Sequence, residues 1–361
     1  MNHTYRIVFN AITGAWVAVA ETAKLRGKAG RRARALTPLL AAALASPALA
    51  APPAATQLPT GGQVAAGQAS LSQASAAMTV TQASHRAVID WQTFNVGSQA
   101  RVDFVQPSAA AVTLNRVLDT QPSQIFGRIN ATGQVFLTNP NGVYFAPSAA
   151  VDVGGLVATT HAISTADFMA GINTFRRNGS KASVINEGSL HAGVDGYIAL
   201  LAPEVRNQGV ILARAGTVVL AAGEAITLQL AGVATRVLAS PSEIAALVEN
   251  RQAVLAPGGQ IILSALAANR LQGGVVRNTG TLEAAGLVSD GGRIALIASD
   301  EIDHSGRIAA DAAPGSAGKG GTVTLIADLA NPASLLGIYG AISARGGDRG
   351  GDGGFVETSG A

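Results

Sequence analysis

The sequence predicts an all-β protein built as a parallel β-helix. Composition is the first indication: 43 of 361 residues are glycine, 13% are charged and 4% are aromatic, against averages of about 7% glycine and about 25% charged residues. The second is a repeat after residue 184, in which an Asn-x-Gly-x-apolar-x-Ala segment precedes another short strand. Short strands and glycine turns recurring every ~20–30 residues are typical of a solenoid, whose coils bury apolar side chains against their neighbours.

The repeat explains why these residue types occur together. Two copies begin at Asn186 and Asn207, a third begins at Asn278, and a looser copy surrounds Ser305. Glycine and asparagine suit the turns because both tolerate positive φ. Alternating Val, Ile, Leu and Ala would stack at the strand spacing of about 4.8 Å. A leucine-rich repeat would contain more leucine, and a β-propeller would repeat at about 40 residues, so neither fits.

Residues 1–50 are predicted to be an extended signal peptide. A basic stretch over 24–34 precedes an apolar run over 36–45, which is shorter than the ~20 residues of a membrane-spanning helix. Ala48 and Ala50 are the small residues that signal peptidase needs, and Pro52 favours cleavage between Ala50 and Ala51. The partly apolar block before the basic stretch resembles the extended signal peptide region of very large Gram-negative exoproteins.

Charge and cysteine content exclude several classes of function. The chain has a net charge of +3, but residues 1–50 contain seven basic residues and one acidic residue. Residues 51–361 therefore have 18 basic and 21 acidic residues, so the mature chain is not expected to bind nucleic acid. The absence of cysteine excludes disulfides, thiolate metal sites and cysteine nucleophiles.

The mature chain divides by composition into four segments. Residues 51–75 are rich in Ala, Pro, Gly, Ser and Gln and predict an extended arm or linker. Residues 76–230 begin the β-helix, residues 231–257 form a helical excursion, and residues 258–361 add further coils. Ten of the twelve aromatic residues after residue 50 lie between Trp91 and Tyr197, which predicts an aromatic-rich N-terminal cap.

Two short helices are expected beside the coils. Ser240-Pro241-Ser242-Glu243 has the pattern of a capping box with proline at the first helical position, and it predicts an α-helix over 240–249. Ser164 precedes a second helical turn that should end at Gly171.

No constellation of residues predicts catalysis, a metal or a cofactor. The four histidines after residue 50 lie in unrelated segments without the spacing of zinc ligands. Residues 346–354 contain a single imperfect copy of a calcium-binding Gly/Asp repeat and are expected to form a flexible turn. Asp300, Glu301 and Asp303 are clustered, and we expect a solvated turn there. An alternative based on clustered carboxylates is a β-helical carbohydrate-active enzyme, a polysaccharide lyase or hydrolase.

Asn139-Pro140-Asn141-Gly142 separates two predicted strands and indicates a tight turn, in which Pro140 sets φ and Asn141 or Gly142 adopts left-handed geometry. The motif belongs to an ordered string that closely resembles the filamentous haemagglutinin N-terminal domain, the secretion domain of two-partner secretion exoproteins. The other segments of the string are 89–97, 102–107, 114–117, 124–129, 133–137 and 154–160.

The resemblance implies a right-handed parallel β-helix recognised by an outer-membrane β-barrel transporter with periplasmic polypeptide-transport-associated domains. It implies a role in secretion for Asn139, Pro140, Asn141 and Gly142. Some family members have an earlier Asn-Pro-Asn motif where this chain has Gln121-Pro122-Ser123.

The resemblance also implies a localisation and a class of activity. The protein would use the Sec machinery and signal peptidase, pass through the periplasm, and be secreted or held at the cell surface. It would be a non-enzymatic adhesin or haemagglutinin with host-cell or bacterial receptors or glycans as further partners. We expect the chain to be the N-terminal part of a longer exoprotein, with adhesin, haemolysin and contact-dependent toxin left open.

Overall fold

The computed structural model describes residues 5–10, 15–20, 51–229, 236–268 and 273–360. The chain divides into two compact units, residues 1–50 and residues 51–361. The boundary coincides with the predicted cleavage site, although Ala50 itself lies outside the described residues, as does most of the predicted leader.

The first unit contains one antiparallel hairpin. Its strands are β1 (Tyr5–Asn10) and β2 (Ala15–Ala20), paired from Tyr5 with Ala20 to Asn10 with Ala15. In the described part of the chain, no helix is long and apolar enough to cross a membrane.

Residues 51–75, predicted to be an extended arm or linker, instead contain two strands that pair within the fold. Strand β3 (Gln63–Ala66) pairs antiparallel with β6 (Arg86–Trp91), and β4 (Ala69–Ala74) pairs antiparallel with β5 (Ala77–Gln82). Most side chains of β3 and β4 are exposed. The apolar alternation that identifies a half-buried strand in a sequence is therefore missing.

The remaining coils stack in parallel and have three faces. Face A contains β5, β7 (Arg101–Val105), β10 (Arg128–Ala131), the first halves of β13 (Ala150–Thr159) and β16 (Ser189–Leu201), β18 (Val210–Ala213), β23 (Ala253–Leu255), β26 (Thr281–Glu283), β29 (Arg307–Ala309) and β32 (Ala341–Ser343). Face B contains β6, β8 (Val112–Val117), β11 (Gln134–Thr138), the second halves of β13 and β16, β19 (Thr217–Ala222), β24 (Gln260–Ala265), β27 (Arg293–Ala298), β30 (Thr322–Ala327) and β33 (Phe355–Ser359). Face C contains β9 (Ser123–Ile125), β12 (Val143–Phe145), β15 (Ser183–Asn186), β17 (Glu204–Asn207), β22 (Ala246–Asn250), β25 (Gly274–Asn278), β28 (Glu301–His304) and β31 (Leu335–Ile338).

Parallel register places equivalent residues of successive coils directly over one another. Leu190, Ile211, Val254, Leu282 and Ile308 form one interior column on face A, and none of them is exposed to solvent. Each coil thus buries its apolar side chains against its neighbours, as a solenoid requires. The predicted parallel β-helix is confirmed.

The interior of the first coils contains large aromatic side chains. Trp91, Phe94, Phe104 and Phe145 are at most 2% exposed and belong to the core cluster inside the coils. The Trp91 and Phe94 rings pack edge to face with their centroids 5.4 Å apart. Among the described residues, the later coils add only aliphatic side chains to this cluster.

A column of buried polar side chains continues from Phe145 along face C. Asn186, Asn207, Asn250 and Asn278 lie in register, and each Nδ2 of the first three donates to the next Oδ1 at 2.8 Å. The last member is His304, whose Nδ1 lies 3.1 Å from the Asn278 Nδ2. We call these five residues the asparagine ladder.

A side module packs on the outer side of face B. It consists of α1 (Thr165–Met169) and an antiparallel sheet of β14 (Thr174–Arg176), β20 (Ala225–Gln229) and β21 (Arg236–Ala239). Phe168 and Phe175 of the side module meet Phe136 of face B, with ring centroids 5.8 and 5.9 Å apart. This contact forms a second apolar cluster, separate from the interior core.

The helical turn after Ser164 is confirmed, because the Ser164 Oγ accepts a hydrogen bond from the Asp167 N–H at 3.0 Å and the chain turns at Gly171 with φ +79°. The α-helix predicted over 240–249 is wrong. Residues 246–250 are β22, which pairs with β17 and β25 and contributes Asn250 to the asparagine ladder. In the excursion predicted over 231–257, the described residues 236–257 are accordingly not helical, since stacking between two coils outweighs a local capping signal.

Candidate functional site

The Asn139–Gly142 turn lies at the corner where the chain passes from face B to face C. It joins β11 to β12, and both strands are paired with the coils on either side. Pro140 and Asn141 are exposed, whereas Asn139 and Gly142 are buried. The side chains of Pro140 and Asn141 are therefore exposed to solvent, and the buried residues at either end, Asn139 and Gly142, fix their position.

The Asn139 side chain closes the turn. Its Oδ1 accepts a hydrogen bond from the Asn141 N–H at 2.9 Å, and its carbonyl accepts one from the Gly142 N–H at 3.0 Å. Asparagine side chains stabilise turns in this way. Gly142 has φ +119° and Asn141 has negative φ, so Gly142 is the left-handed residue of the two that the sequence left open.

Hydrogen bonds connect the turn to the preceding coil. The Asn139 Nδ2 donates to the carbonyl of Gln121 and to the Oγ of Ser123, both at 3.0 Å. The Asn141 Nδ2 donates to the carbonyl of Asp119 at 2.7 Å. Gln121 and Ser123 of the preceding coil thus stabilise the turn through the Asn139 side chain.

The turn is also connected to the following coil. The Ser180 Oγ donates to the Pro140 carbonyl at 2.6 Å. A Cβ placed on Gly142 would lie 3.3 Å from both the Pro122 Cβ and the Ser183 carbonyl. We call residues 119–123, 139–142 and 180–183 the turn corner. Sequence patterns offered no signal for Ser180, because it lies about 40 positions after the turn.

Arg177 connects the turn corner to the side module through one ion pair and one hydrogen bond. Arg177 is 7% exposed, its Nε lies 2.7 Å from the Glu224 carboxylate, and its Nη1 donates to the Ser180 carbonyl at 3.2 Å. The hydrogen bond from Arg177 lowers the pKa of Glu224. Beside the pair, the His161 Nε2 lies 2.8 Å from the Gly223 carbonyl, and burial lowers the pKa of His161.

The predicted cleavage residues and carboxylates lie elsewhere. Ala51 is exposed at the start of the second unit, and its carbonyl is 3.4 Å from the Gln124 Nε2. Glu301 and Asp303 are on β28, with Asp303 in register with Arg277. Across the residues that the structure describes, no group of three or more His, Cys, Asp or Glu side chains could hold a metal ion.

The structure defines the class of this protein as a parallel β-helical domain, with aromatic side chains inside its first coils and a side module on one face. The chain matches the family described as TPS secretion domain over residues 55–310 and the family described as Extended Signal Peptide of Type V secretion system over residues 1–50. It belongs to the family of two-partner secretion domains.

Similar proteins come from Haemophilus influenzae. Two heme/hemopexin-binding proteins are 33% identical over 253 residues and 40% identical over 111 residues. These matches cover 68% and 31% of this chain but only 28% and 12% of the relatives. The crystal structure of the HMW1 secretion domain superposes with a TM-score of 0.64 at 25% identity, covering 84% of this chain and 95% of that one.

Family membership establishes how the protein is exported. It is a secreted protein that passes through the periplasm and carries a two-partner secretion domain. The carbohydrate-active enzyme is not supported by the family matches or the relatives.

Proposed function

We propose that the turn corner is the surface by which this domain engages its outer-membrane transporter, through the transporter's polypeptide-transport-associated domains. The observation that carries the proposal is the fully buried Asn139, whose side chain holds the exposed Pro140 and Asn141 in one geometry. Leu118, 65% exposed beside Asp119, adds an apolar side chain to the same surface. Exposed side chains on a rigid support are typical of recognition sites.

The chain contains a matched control for Asn139. Asn331, at the same corner between β30 and β31, accepts a hydrogen bond on Oδ1 from the Ala333 N–H at 3.1 Å. Its carbonyl accepts one from the Ser334 N–H at 2.9 Å, and its Nδ2 donates to the Ser299 carbonyl at 3.1 Å. Asn331 is 2% exposed. The same turn thus occurs in a late coil, away from the turn corner.

The test compares Asn139→Ala and Asn141→Ala, singly and together, with Asn331→Ala. Asn139→Ala and Asn331→Ala, the two changes at buried positions, should each lower the free energy of unfolding by about 1–3 kcal/mol, because each leaves buried groups without hydrogen-bond partners. The ratio of extracellular to periplasmic protein, measured with the cognate transporter co-expressed, should fall for the variants at Asn139 and Asn141 and stay at the wild-type value for Asn331→Ala. Equal secretion of all variants, or an equal loss at Asn331, would show that the turn acts only on stability.

The aromatic first coils are proposed to nucleate folding outside the cell. Aromatic side chains bury 150–250 Å² each, so few residues provide a stable template, and later coils then add one at a time. Support comes from the position of Trp91, Phe94, Phe104 and Phe145, all within the first coils.

Processing and activity of the exported protein complete the proposal. Signal peptidase would cleave after Ala50, following passage through the Sec machinery, and N-terminal sequencing of the secreted protein should begin at Ala51. The exoprotein would act as an adhesin on cell-surface receptors or glycans; the two similar Haemophilus influenzae proteins bind a different class of ligand, heme and hemopexin. Secreted protein that fails to bind or agglutinate cells would contradict that activity.

A further inference from the structure

A pocket lies between the side module and the outer side of face B. It has a volume of about 390 Å³. Its floor comes from the first residues of three successive face B strands, Arg86, Val112 and Gln134, which are neighbours in register. Gly171 and Asn173 belong to its opposite wall. The volume is within the range of small-molecule sites.

Among the described residues, Arg86 has no carboxylate partner. Its Nη1 donates to the Phe168 carbonyl at 2.9 Å, and its guanidinium lies 5.0 Å from the centre of the Phe168 ring. Other half-buried or buried arginines are paired, Arg116 with Asp90 and Arg177 with Glu224. The described residues that line the pocket include no Asp or Glu. Burial lowers the pKa of Arg86, since desolvation disfavours its charge.

Gln134 supplies a second donor. The Tyr197 hydroxyl donates to its Oε1 at 2.5 Å, which is possible because Gly155, between the two residues in register, has no side chain; a Cβ there would lie 3.0 Å from the Tyr197 ring. Burial raises the pKa of Tyr197, so its hydroxyl remains protonated. This bond uses one of the two lone pairs of the Gln134 oxygen, and the Gln134 N–H groups can donate to a ligand.

The opposite wall leaves an open approach to Arg86. Asn173, which is 8% exposed, belongs to this wall. Gly171 has φ +79°, and a Cβ there would lie 3.5 Å from the Arg86 Nη2, so this glycine leaves the guanidinium accessible. Thr227 and Gln229 add polar groups, and Ile172 and Leu228 add apolar surface.

We propose that this pocket binds a carboxylate-bearing monosaccharide, an acidic sugar of the sialic or uronic acid class. A guanidinium binds a carboxylate through two parallel hydrogen bonds, and the Gln134 N–H groups add a further donor. The mixed polar and apolar lining suits the hydroxyl groups and C–H faces of a sugar ring. The site is separate from the turn corner, so its test does not depend on secretion.

The experiment is a titration of the purified protein, monitored by ligand-observed NMR. The probes are N-acetylneuraminic acid and glucuronic acid, with glucose as the neutral control and inorganic phosphate as a competing anion. Saturable binding of an acidic sugar, with no binding of glucose and weaker binding of phosphate, is expected. Absence of saturation, equal binding of glucose, or phosphate binding as tight as the sugar would overturn the proposal.

Three variants locate the site. Arg86→Gln should raise the Kd for the acidic sugar at least tenfold. Ile172 is 50% exposed on the rim of the pocket. Ile172→Trp should raise the Kd to the same extent while leaving Arg86 in place. Arg176→Gln removes an exposed arginine of the side module and should leave the Kd unchanged. Since Arg86 also contacts α1, Ile172→Trp separates ligand binding from folding. Unchanged affinity in Ile172→Trp, or an equal loss in Arg176→Gln, would place any binding elsewhere.

Discussion

The first coils and the later coils fill the same cross-section with different side chains. Trp91, Phe94 and Phe145 occupy the interior of the early coils, whereas the later coils contain aliphatic columns and the asparagine ladder. An aromatic side chain is buried within one or two coils. Asn207 and Asn250 each accept a hydrogen bond from one neighbouring coil and donate one to the other, so both bonds form only when the coils on both sides are present. From this difference we infer that the early coils stabilise the fold, whereas each later coil is stable only beside a coil that has already folded.

The largest expected effect tests this dependence at Phe145, which lies in register with Asn186 at the start of the ladder. Phe145→Ala should cost about 3–5 kcal/mol, the usual loss for a buried phenylalanine. Hydrogen exchange should show faster exchange in all coils. The matched late variant, Ile302→Ala, should cost about 2–5 kcal/mol but accelerate exchange mainly near face C of the last coils. If Phe145→Ala accelerated hydrogen exchange only in the coils next to Phe145, the later coils would not depend on the early ones.

The second prediction concerns the ladder itself. Asn250→Ala removes the acceptor of the Asn207 Nδ2 and the donor to the Asn278 Oδ1, at about 1–3 kcal/mol for each buried group left without that partner. Urea unfolding should show the corresponding decrease in the free energy of unfolding. Thr279→Ala, at an exposed position next to the ladder, is the control and should change stability by less than ~0.5 kcal/mol. Equal stability of both variants would mean that the ladder contributes nothing.

The third prediction concerns the side module, which covers face B over the early coils. Burial lowers the pKa of His161 in the folded state, so the unfolded chain takes up a proton first as the pH falls through about 6.5. The stability associated with neutral His161 should be present above that pH and lost on acidification. Thermal unfolding between pH 7.5 and 5 should show this slope, and His161→Gln should reduce it. An unchanged slope in His161→Gln would exclude His161 as its source.

The smallest expected effect is at the helix cap of the side module. Ser164→Ala removes the acceptor for the Asp167 N–H and should cost about 1 kcal/mol. Hydrogen exchange should accelerate in α1 and leave the coils unchanged. Ser108→Ala, an exposed serine outside the side module, should change neither. Faster exchange throughout the coils would show that the side module and β-helix unfold as one unit.

Local sequence determined several features of this protein. The alternating apolar strands, the glycine turns and the Asn-x-Gly repeat predicted stacked coils, because each depends on the conformational preferences of a few neighbouring residues. The Asn139–Gly142 turn and the helical turn after Ser164 were predicted for the same reason. The repeat pattern did not identify Asn250, because Gln252 occupies the position at which the other copies have glycine.

Tertiary structure decided what local signals could not. Residues 246–250 have a capping signal in front of them but form a strand, because their neighbours β17 and β25 offer hydrogen bonds and an asparagine on each side. The side module joins segments about 50 residues apart, and the Asn139 turn is held by Gln121, Ser123 and Ser180. Such contacts form only once the coils have stacked, since stacking alone brings residues from different coils within hydrogen-bonding distance.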